Sequence, residues 1–200
     1  GAFPLVSAAQ GAAAAAPAGL KPHEQPSAFV RIDADDIREM MRDIGYDGRN
    51  SQLFQGAAAK AVNILFDHAN KQNGQNVLLD GTFAYENWRL NIDRSLKKNR
   101  RVEIYYLYQD PAVAWDYVVK RQAAEGGRVV PPSVFVESYI KSVHNVQKAK
   151  DAFGEDVTLF FAKNDYTKRV ESIRVDVQNI EALLPKAYNE DELKELVYAR

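Results

Sequence analysis

Short apolar runs alternate with segments of helical spacing along the whole chain. The runs at residues 3–8, 28–32, 77–79, 102–108 and 157–161 lack the polar alternation of a half-exposed strand. Continuous apolar strands are typical of a parallel sheet that helices cover on both faces. We therefore predict an α/β fold, with a mostly parallel sheet and helices on both faces.

The segments between these runs predict helices. Ser51 is expected to cap the second helix and Gly74 to end it. Its spacing places Leu53, Ile64 and Leu65 on one side of that helix. The predicted helices are residues 35–44, 51–73, 86–99, 111–125, 132–153 and 191–198.

The rest of the composition describes an ordinary globular chain. Residues 170–177 alternate in polarity and predict an edge strand or hairpin arm, and no linker divides the single domain 1–200.

The net charge of −1 does not indicate nucleic acid or a membrane surface as a partner, and the basic cluster 97–101 suits a helix end. Cysteine is absent, which fits a cytoplasmic location, and no run approaches the ~20 residues of a membrane span.

Acidic residues stand at the ends of two predicted strands. Ligands of open parallel sheets bind beyond the carboxyl ends of the strands, which here selects residues 8–15, 33–36, 80–82 and 164–165. A carboxylate of Asp33 or Asp35 at such a place can accept the proton of a substrate hydroxyl or help to hold magnesium. The alternative is that one of them only caps the next helix.

Two further groups have weaker signals. Asp80 and Thr82 flank a glycine that allows close approach of a ligand to the backbone, although from these residues alone a cap and turn is the favoured interpretation. Arg121 and Arg128 flank a glycine-containing break between two helices. Arginines there can neutralise a phosphoryl group in transfer, and the alternative is that they are solvated helix ends.

The first strand leads into an alanine run where a phosphate-binding loop is expected. We predict a turn at Gln10-Gly11 and then a helix. A P-loop would place its first glycine at Ala8, and Gly, Lys and Ser/Thr at residues 13–15. Only Gly11 keeps a typical identity. Three accounts of the alanines stay open: deliberate inactivation, an incomplete record of the side chains, or natural loss of the site.

Taken together, several segments resemble the zeta-toxin family of P-loop kinases. They are VRIDADDIR, NSQLFQGA, NVLLDGTFA, LYQDPAVAW and KRQAAEGGRVVP, and the likeness covers about residues 3–161. The resemblance implies a P-loop kinase fold that uses ATP and magnesium to phosphorylate a hydroxyl of UDP-N-acetylglucosamine. It also implies a toxin of a toxin–antitoxin system, with an antitoxin protein as a partner.

The resemblance assigns roles to the acceptor side of the site. Asp35 matches the family's catalytic base, and Arg121 and Arg128 match its two phosphate-facing arginines. Asp80 and Thr82 match its substrate-binding Glu-Gly-Thr segment. Asp33 is a further candidate for substrate or metal binding. Ala84 stands where better-known members carry a substrate-binding arginine, which leaves the acceptor open.

On the nucleotide side, the resemblance places the ATP phosphates at Gly11, Ala12, Ala13, Ala14 and Ala15. Ala14 would be the lysine of an active member and Ala15 the hydroxyl residue that reaches magnesium. Alanine provides neither charge nor oxygen, so we expect the chain as written to be nearly inactive. The alternatives are a kinase for another small molecule, such as a nucleotide or an antibiotic, and a catalytically dead substrate-binding module.

Overall fold

The computed structural model describes residues 6–11, 29–71, 75–123, 128–164 and 170–199. Its strands are β1 Val6–Gly11, β2 Phe29–Asp33, β3 Asn76–Gly81, β4 Arg101–Tyr108, β5 Val157–Asn164 and β6 Val170–Arg174. Its α-helices are α1 Ala34–Glu39, α2 Ser51–Lys71, α3 Trp88–Leu96, α4 Pro111–Ala123, α5 Pro132–Phe153 and α6 Glu190–Tyr198. None of the helices among these residues is long and apolar enough to cross a bilayer.

One six-stranded sheet organises the described chain, in the order β2-β3-β1-β4-β5-β6. The pairs β2–β3 and β4–β5 are parallel, while β1 is antiparallel to both β3 and β4, so β2, β3, β4 and β5 share one direction. β6 pairs antiparallel with β5 at the edge, as the alternating pattern predicted. The predicted α/β class and mostly parallel sheet are confirmed.

The position of β1 differs from the prediction in two ways. The strand continues through Gln10 and Gly11, which were expected to form a turn, and it runs antiparallel so that Gly11 pairs with Arg101 at the start of β4. Its sequence VSAAQG consists mostly of small residues. A side-chain period of two is the same in either direction, so the pattern predicts a strand but not its polarity.

The main core lies between the sheet and helices α3 to α6. Along β4 the alternate residues Val102, Ile104 and Tyr106 are fully buried, and the parallel register places them beside Val157 and Leu159 of β5. Burial of each large side chain in such a row stabilises the folded state by roughly 1.5–3 kcal/mol. Residues of both β4 and β5 belong to this core.

A smaller core fixes α2 on β2 and β3. Ile32 and Val77 of the sheet pack against Phe66 and Ala69. The side of α2 that carries Leu53, Ile64 and Leu65 is not the packed one, since Leu53 is 81% exposed and the other two are also exposed. The helix is apolar on more than one side, so helical spacing alone did not identify the buried stripe.

Helix α1 is shorter than predicted. It ends at Glu39, and a 3-10 turn at Arg42–Ile44 follows. Gly45 then adopts a φ of +103°, which favours glycine, and reverses the chain towards α2. The predicted helix end near Asn73-Gly74, the break at residues 124–127 and Asp165 lie outside the described residues.

Arg100, within the basic cluster, has a structural role. It is buried, and its guanidinium donates to the carbonyl oxygens of Ala69, Asn70 and Gln75, at 3.1, 3.3 and 2.5 Å. These contacts satisfy carbonyls at the end of α2 that lack partners within the helix. The positive charge also lies favourably at a helix carboxyl end.

We expect Arg100→Ala to lower the free energy of unfolding by about 2–4 kcal/mol, because it leaves buried carbonyls without donors. Chemical denaturation measures this change. Lys98→Ala, an exposed member of the same cluster, is the matched control and should change stability by less than about 0.5 kcal/mol. Equal effects of the two substitutions would contradict the capping role.

Candidate functional site

Asp33, at the end of β2, caps helix α1. Its Oδ1 accepts a hydrogen bond of 2.7 Å from the backbone N–H of Asp35. Burial raises the pKa of the Asp33 carboxyl, and neighbouring carboxylates act in the same direction. The alternative interpretation of the strand-end acids, a helix cap, is thus observed for Asp33. The cap also fixes where Asp35 stands.

Arg31 forms ion pairs with the acidic groups at the ends of β2 and β3. Its guanidinium contacts Asp33 at 2.6 Å, Asp36 at 2.8 Å and Asp80 at 2.8 Å. Asp33 and Asp80 are register partners in the parallel pair, which brings both to one sheet edge. The sequence analysis missed Arg31, although its position two residues before Asp33 places both side chains on the same strand face.

Asp35 is held by two arginines from different parts of the chain. Arg128 Nη1 donates to both carboxylate oxygens, at 2.5 and 2.6 Å, and Arg38 Nη2 donates to Oδ1. Burial opposes ionisation, but the two guanidinium groups outweigh it and lower the pKa of Asp35. The structure therefore brings together the predicted base and one predicted phosphate-facing arginine, 93 residues apart.

Arg38 supports Asp35 from within the protein. Its side chain is almost completely buried, and Nη1 donates to Oε1 of Gln55 on α2 at 2.8 Å. Gln55 thereby links the carboxylate to the second helix. Neither Arg38 nor Gln55 was identified from the sequence, where the only available signal was the i,i+3 spacing of Asp35 and Arg38 on one helix face.

Backbone contacts place Arg128 at the carboxylate. The N–H of Val129 donates to the carbonyl of Gly48 at 3.2 Å, and the Gln122 side chain donates to the carbonyl of Val130 at 3.1 Å. These two bonds tie the segment that follows the undescribed break to the loop before α2 and to α4. Arg128 is therefore positioned by packing of its neighbours as well as by its own ion pair.

Arg121 presents unused donors. It lies near the end of α4, and its Nε and Nη2 are buried without a hydrogen-bond partner among the described residues. Nε of Arg128 is also buried and has no hydrogen-bond partner among the described residues. Buried guanidinium donors without acceptors are costly and are expected where an anionic ligand supplies the acceptors.

A cleft of about 560 Å³ opens beside this site, between α2, α3 and the end of β3. The predicted substrate-binding residues Asp80 and Thr82 both line it, whereas Asp35, Arg121 and Arg128 do not. The lining residues are Ile32, Gln55, Ala59, Val62, Asn63, Leu79, Asp80, Gly81, Thr82, Phe83, Tyr85, Glu86, Asn87, Leu90, Asn91 and Arg94. Gln55 connects the cleft to the Arg38–Asp35 pair.

The loop that forms one wall of the cleft is strained. Phe83 has a φ of +58°, in the left-handed region, yet its side chain is buried against Trp88. Asn145 of α5 donates to the Phe83 carbonyl at 2.9 Å and holds this conformation. Strain of this kind is retained where surrounding contacts fix it, commonly beside ligand sites.

Gly11 is the predicted nucleotide-binding residue that the structure describes, and it does not lie at this edge. Gly11 pairs with Arg101, whereas Val6, at the other end of β1, pairs with Gly81. Five residues of strand therefore separate Gly11 from the acidic edge, roughly 17 Å. Ala12, Ala13, Ala14 and Ala15 lie outside the described residues.

ATP and magnesium do not fit the side chains in the described part of the chain or the alanines of the sequence at residues 12–15. In the described part of the chain no cluster of three His, Asp or Glu side chains is arranged to hold a metal ion. The Asp33 carboxylate is already engaged by Arg31 and by the cap of α1. Alanines at residues 13–15 supply no charge or hydroxyl, and Gly11 lies at the opposite sheet edge.

The fold is that of an α/β protein with a parallel-rich sheet, and a cleft lies beside the carboxylate–arginine pair. A family model described as Zeta toxin matches residues 5–174. The chain belongs to the zeta toxin family, whose kinase-like character places it among phosphotransferases in general.

One similar solved structure comes from work on the PezAT chromosomal toxin–antitoxin system of the human pathogen Streptococcus pneumoniae. It is 15% identical, with a TM-score of 0.49, over 86% of this chain and 68% of that chain. The comparison with curated proteins gives no match.

The lowered pKa of Asp35 predicts a pH-dependent contribution to stability. Its ion pairs contribute fully above the ordinary Asp pKa of about 4, and the contribution is lost as the pH falls through the lower pKa of the folded state. We expect Asp35→Asn to be less stable than the wild type by about 1–2 kcal/mol at pH 7, with the gap closing in acid. Denaturation from pH 7 to pH 2 measures the gap.

Asp43→Asn is the control for this experiment, because Asp43 is an exposed residue of the 3-10 turn after α1. It should show no comparable gap at any pH. A constant difference between wild type and Asp35→Asn across the whole range would contradict the role of the ionised carboxylate.

Proposed function

We propose that this chain has the acceptor half of a zeta-toxin-type phosphotransferase, which acts on a hydroxyl of a nucleotide sugar, UDP-N-acetylglucosamine. The observation that carries the proposal is the meeting of Asp35 and Arg128 at the end of β2, beside a cleft lined by Asp80 and Thr82. A base, a cation for the transferring group and an acceptor pocket are the parts that phosphoryl transfer to a hydroxyl requires.

Asp35 would receive the hydroxyl of the acceptor. Because its pKa is lowered, the carboxylate stays ionised at neutral pH and can accept a hydrogen bond from that hydroxyl. The same shift makes it a weak base, so its role is to orient the hydroxyl and to take the proton late in transfer. Arg128 must release one carboxylate oxygen for this contact.

Arg121 and Arg128 would bind the anionic oxygens of the transferring group. Their unused buried donors support this role, because phosphoryl oxygens are strong acceptors for guanidinium N–H groups. Arg128 would then move from Asp35 to the phosphoryl group and free the base as the anion arrives. The two events are coupled through one side chain.

Asp80 and Thr82 would position the acceptor. The Thr82 hydroxyl oxygen accepts from the N–H of Ala84 at 3.4 Å, which leaves the hydroxyl hydrogen to donate to a ligand. One carboxylate oxygen of Asp80 is bound by Arg31, and the other is left to accept. Asp33 serves mainly to cap α1 in this scheme.

ATP and magnesium are the expected co-reactants of the family, and no step through them is assigned to the residues present. We infer that the chain as written is nearly inactive, because Ala14 and Ala15 lack the lysine and hydroxyl of a P-loop. Membership in a toxin family suggests a cytoplasmic site of action and a neutralising antitoxin as a protein partner.

A catalytically dead substrate-binding module is the second candidate function. Two observations favour it: the alanines at the P-loop positions, and the direction of β1, which carries Gly11 away from Asp35. A third candidate, a kinase for another small molecule, is favoured by Ala84, since the substrate-binding arginine of better-known members is missing there.

Restoration of the P-loop tests the proposed function. The variant Ala8→Gly, Ala13→Gly, Ala14→Lys and Ala15→Ser should transfer the γ-phosphate of ATP to UDP-N-acetylglucosamine, whereas the parent chain should not. Transfer requires that Gly11 leave its pairing with Arg101 and approach Asp35. Adding Asp35→Asn to the restored variant should lower kcat by about 10²- to 10⁴-fold, since it removes the base. Mass spectrometry of the nucleotide sugar measures the product.

The matched control adds Asp36→Asn to the restored variant. Asp36 is the neighbouring carboxylate, but it contacts Arg31 rather than Asp35's arginines, so the rate should stay nearly unchanged. A restored variant that binds ATP and shows no Asp35-dependent transfer would support the binding-module function instead.

A further inference from the structure

The segment 175–199 lies beyond the residues that the zeta toxin family model matches, and it packs on the sheet and on two helices. The N–H of Val177 donates to the carbonyl of Leu159 on β5 at 2.9 Å. The N–H of Ile180 donates to Oε1 of Gln147 on α5 at 2.8 Å. Helix α6, which belongs to this segment, contacts both α4 and α5. The segment therefore joins α4, which carries Arg121, to the rest of the core.

A chain of four aromatic rings leads from this segment to α4. The ring centre of Tyr188 lies 6.4 Å from that of Tyr139 on α5. The ring of Phe135, one turn earlier on α5, lies 6.4 Å from Tyr139 and 5.1 Å from Trp115 on α4. Aromatic pairs at these separations attract each other, and the last three rings are buried, so none of them moves independently of its neighbours. The position of Trp115 thus depends on Tyr188 through two rings of α5.

Arg121 lies on the packed side of α4. It follows Ala114 and Val118 at the seven- and three-residue spacing that places side chains on one helix face. Ala114 and Val118 are fully buried, so the packing of this face sets where the Arg121 side chain leaves the helix. A rotation or shift of α4 would move Nε and Nη2 of Arg121, the two buried donors that lack a partner among the described residues.

We propose that the segment 175–199 positions Arg121, because Tyr188 and α6 hold α4 in the orientation in which the guanidinium can bind an anion. The inference rests on the proposed function, in which Arg121 binds the transferring phosphoryl group. Tyr188 is a positioning residue, since it acts on the anion only through α4. Without its ring, α4 samples further orientations, and the affinity for the anion falls with the fraction that is competent to bind.

Binding of inorganic pyrophosphate to the full chain tests this role. NMR follows the Nε–H resonance of Arg121, which Arg121→Gln identifies, and that variant should lose the response. Tyr188→Leu removes the ring contact with Tyr139 and should weaken binding by about threefold to tenfold. Tyr188→Phe keeps the ring and should bind pyrophosphate nearly as tightly as the wild type. Tyr188 is only partly buried, so both variants should fold.

Tyr198→Leu is the matched control, because Tyr198 stands at the end of α6 and is 64% exposed. It should leave the affinity for pyrophosphate unchanged. Hydrogen exchange gives a second readout that needs no ligand. The amides of residues 118–121 should exchange faster in Tyr188→Leu than in the wild type, and at the wild-type rate in Tyr198→Leu.

Two results would overturn the inference. One is an unchanged affinity for pyrophosphate in Tyr188→Leu, whatever the effect of this substitution on stability. The other is an equal loss of affinity in Tyr188→Phe or in Tyr198→Leu. If the wild type does not bind pyrophosphate, the anion-binding role of Arg121 in the proposed function is refuted. The exchange rates then decide by themselves whether the segment holds α4, and equal rates in wild type and Tyr188→Leu would refute that role too.

Discussion

The ion pair between Asp35 and Arg128 is the interaction on which the site depends. It joins the start of α1 to the segment that precedes α5, and Arg38 and Gln55 continue it into the second helix. Contacts of neighbouring residues fix both partners of the pair. The cap by Asp33 positions Asp35, and the hydrogen bond of Val129 to Gly48 positions Arg128. The pair keeps the carboxylate ionised and also occupies it. A ligand that competes for Arg128 therefore changes what Asp35 can do, and this coupling is the chemical content of the proposed mechanism.

Much of the fold could be predicted because burial leaves a strong trace in the sequence. The apolar runs that became β4 and β5 and the periodicity of α5 were predicted with nearly correct bounds, since the strands form continuous apolar runs and the helix has a regular apolar spacing. Two features failed for physical reasons. Helix α2 is apolar on several sides, so the pattern did not select the stripe that contacts the sheet. Strand β1 pairs antiparallel with both neighbours, and its sequence pattern did not predict this direction because a side-chain period of two is the same in either direction.

The candidate site shows the same division. Strand-end geometry led to Asp33, Asp35, Asp80 and Thr82, and the structure places the first three at one edge with Thr82 directly after it. Sequence reasoning did not find Arg31, Arg38 or Arg94. The role of an arginine depends on the carboxylate that it contacts, and these carboxylates lie on other elements or on another turn of the helix.

The central claim is that the chain keeps an acceptor site and lacks a working nucleotide site. Isothermal titration calorimetry of the purified chain with UDP-N-acetylglucosamine and, separately, with ATP and magnesium tests it most directly. The account predicts saturable binding of the nucleotide sugar that is weakened by Thr82→Ala, and no saturable binding of ATP. Saturable binding of ATP together with no binding of the nucleotide sugar would contradict it.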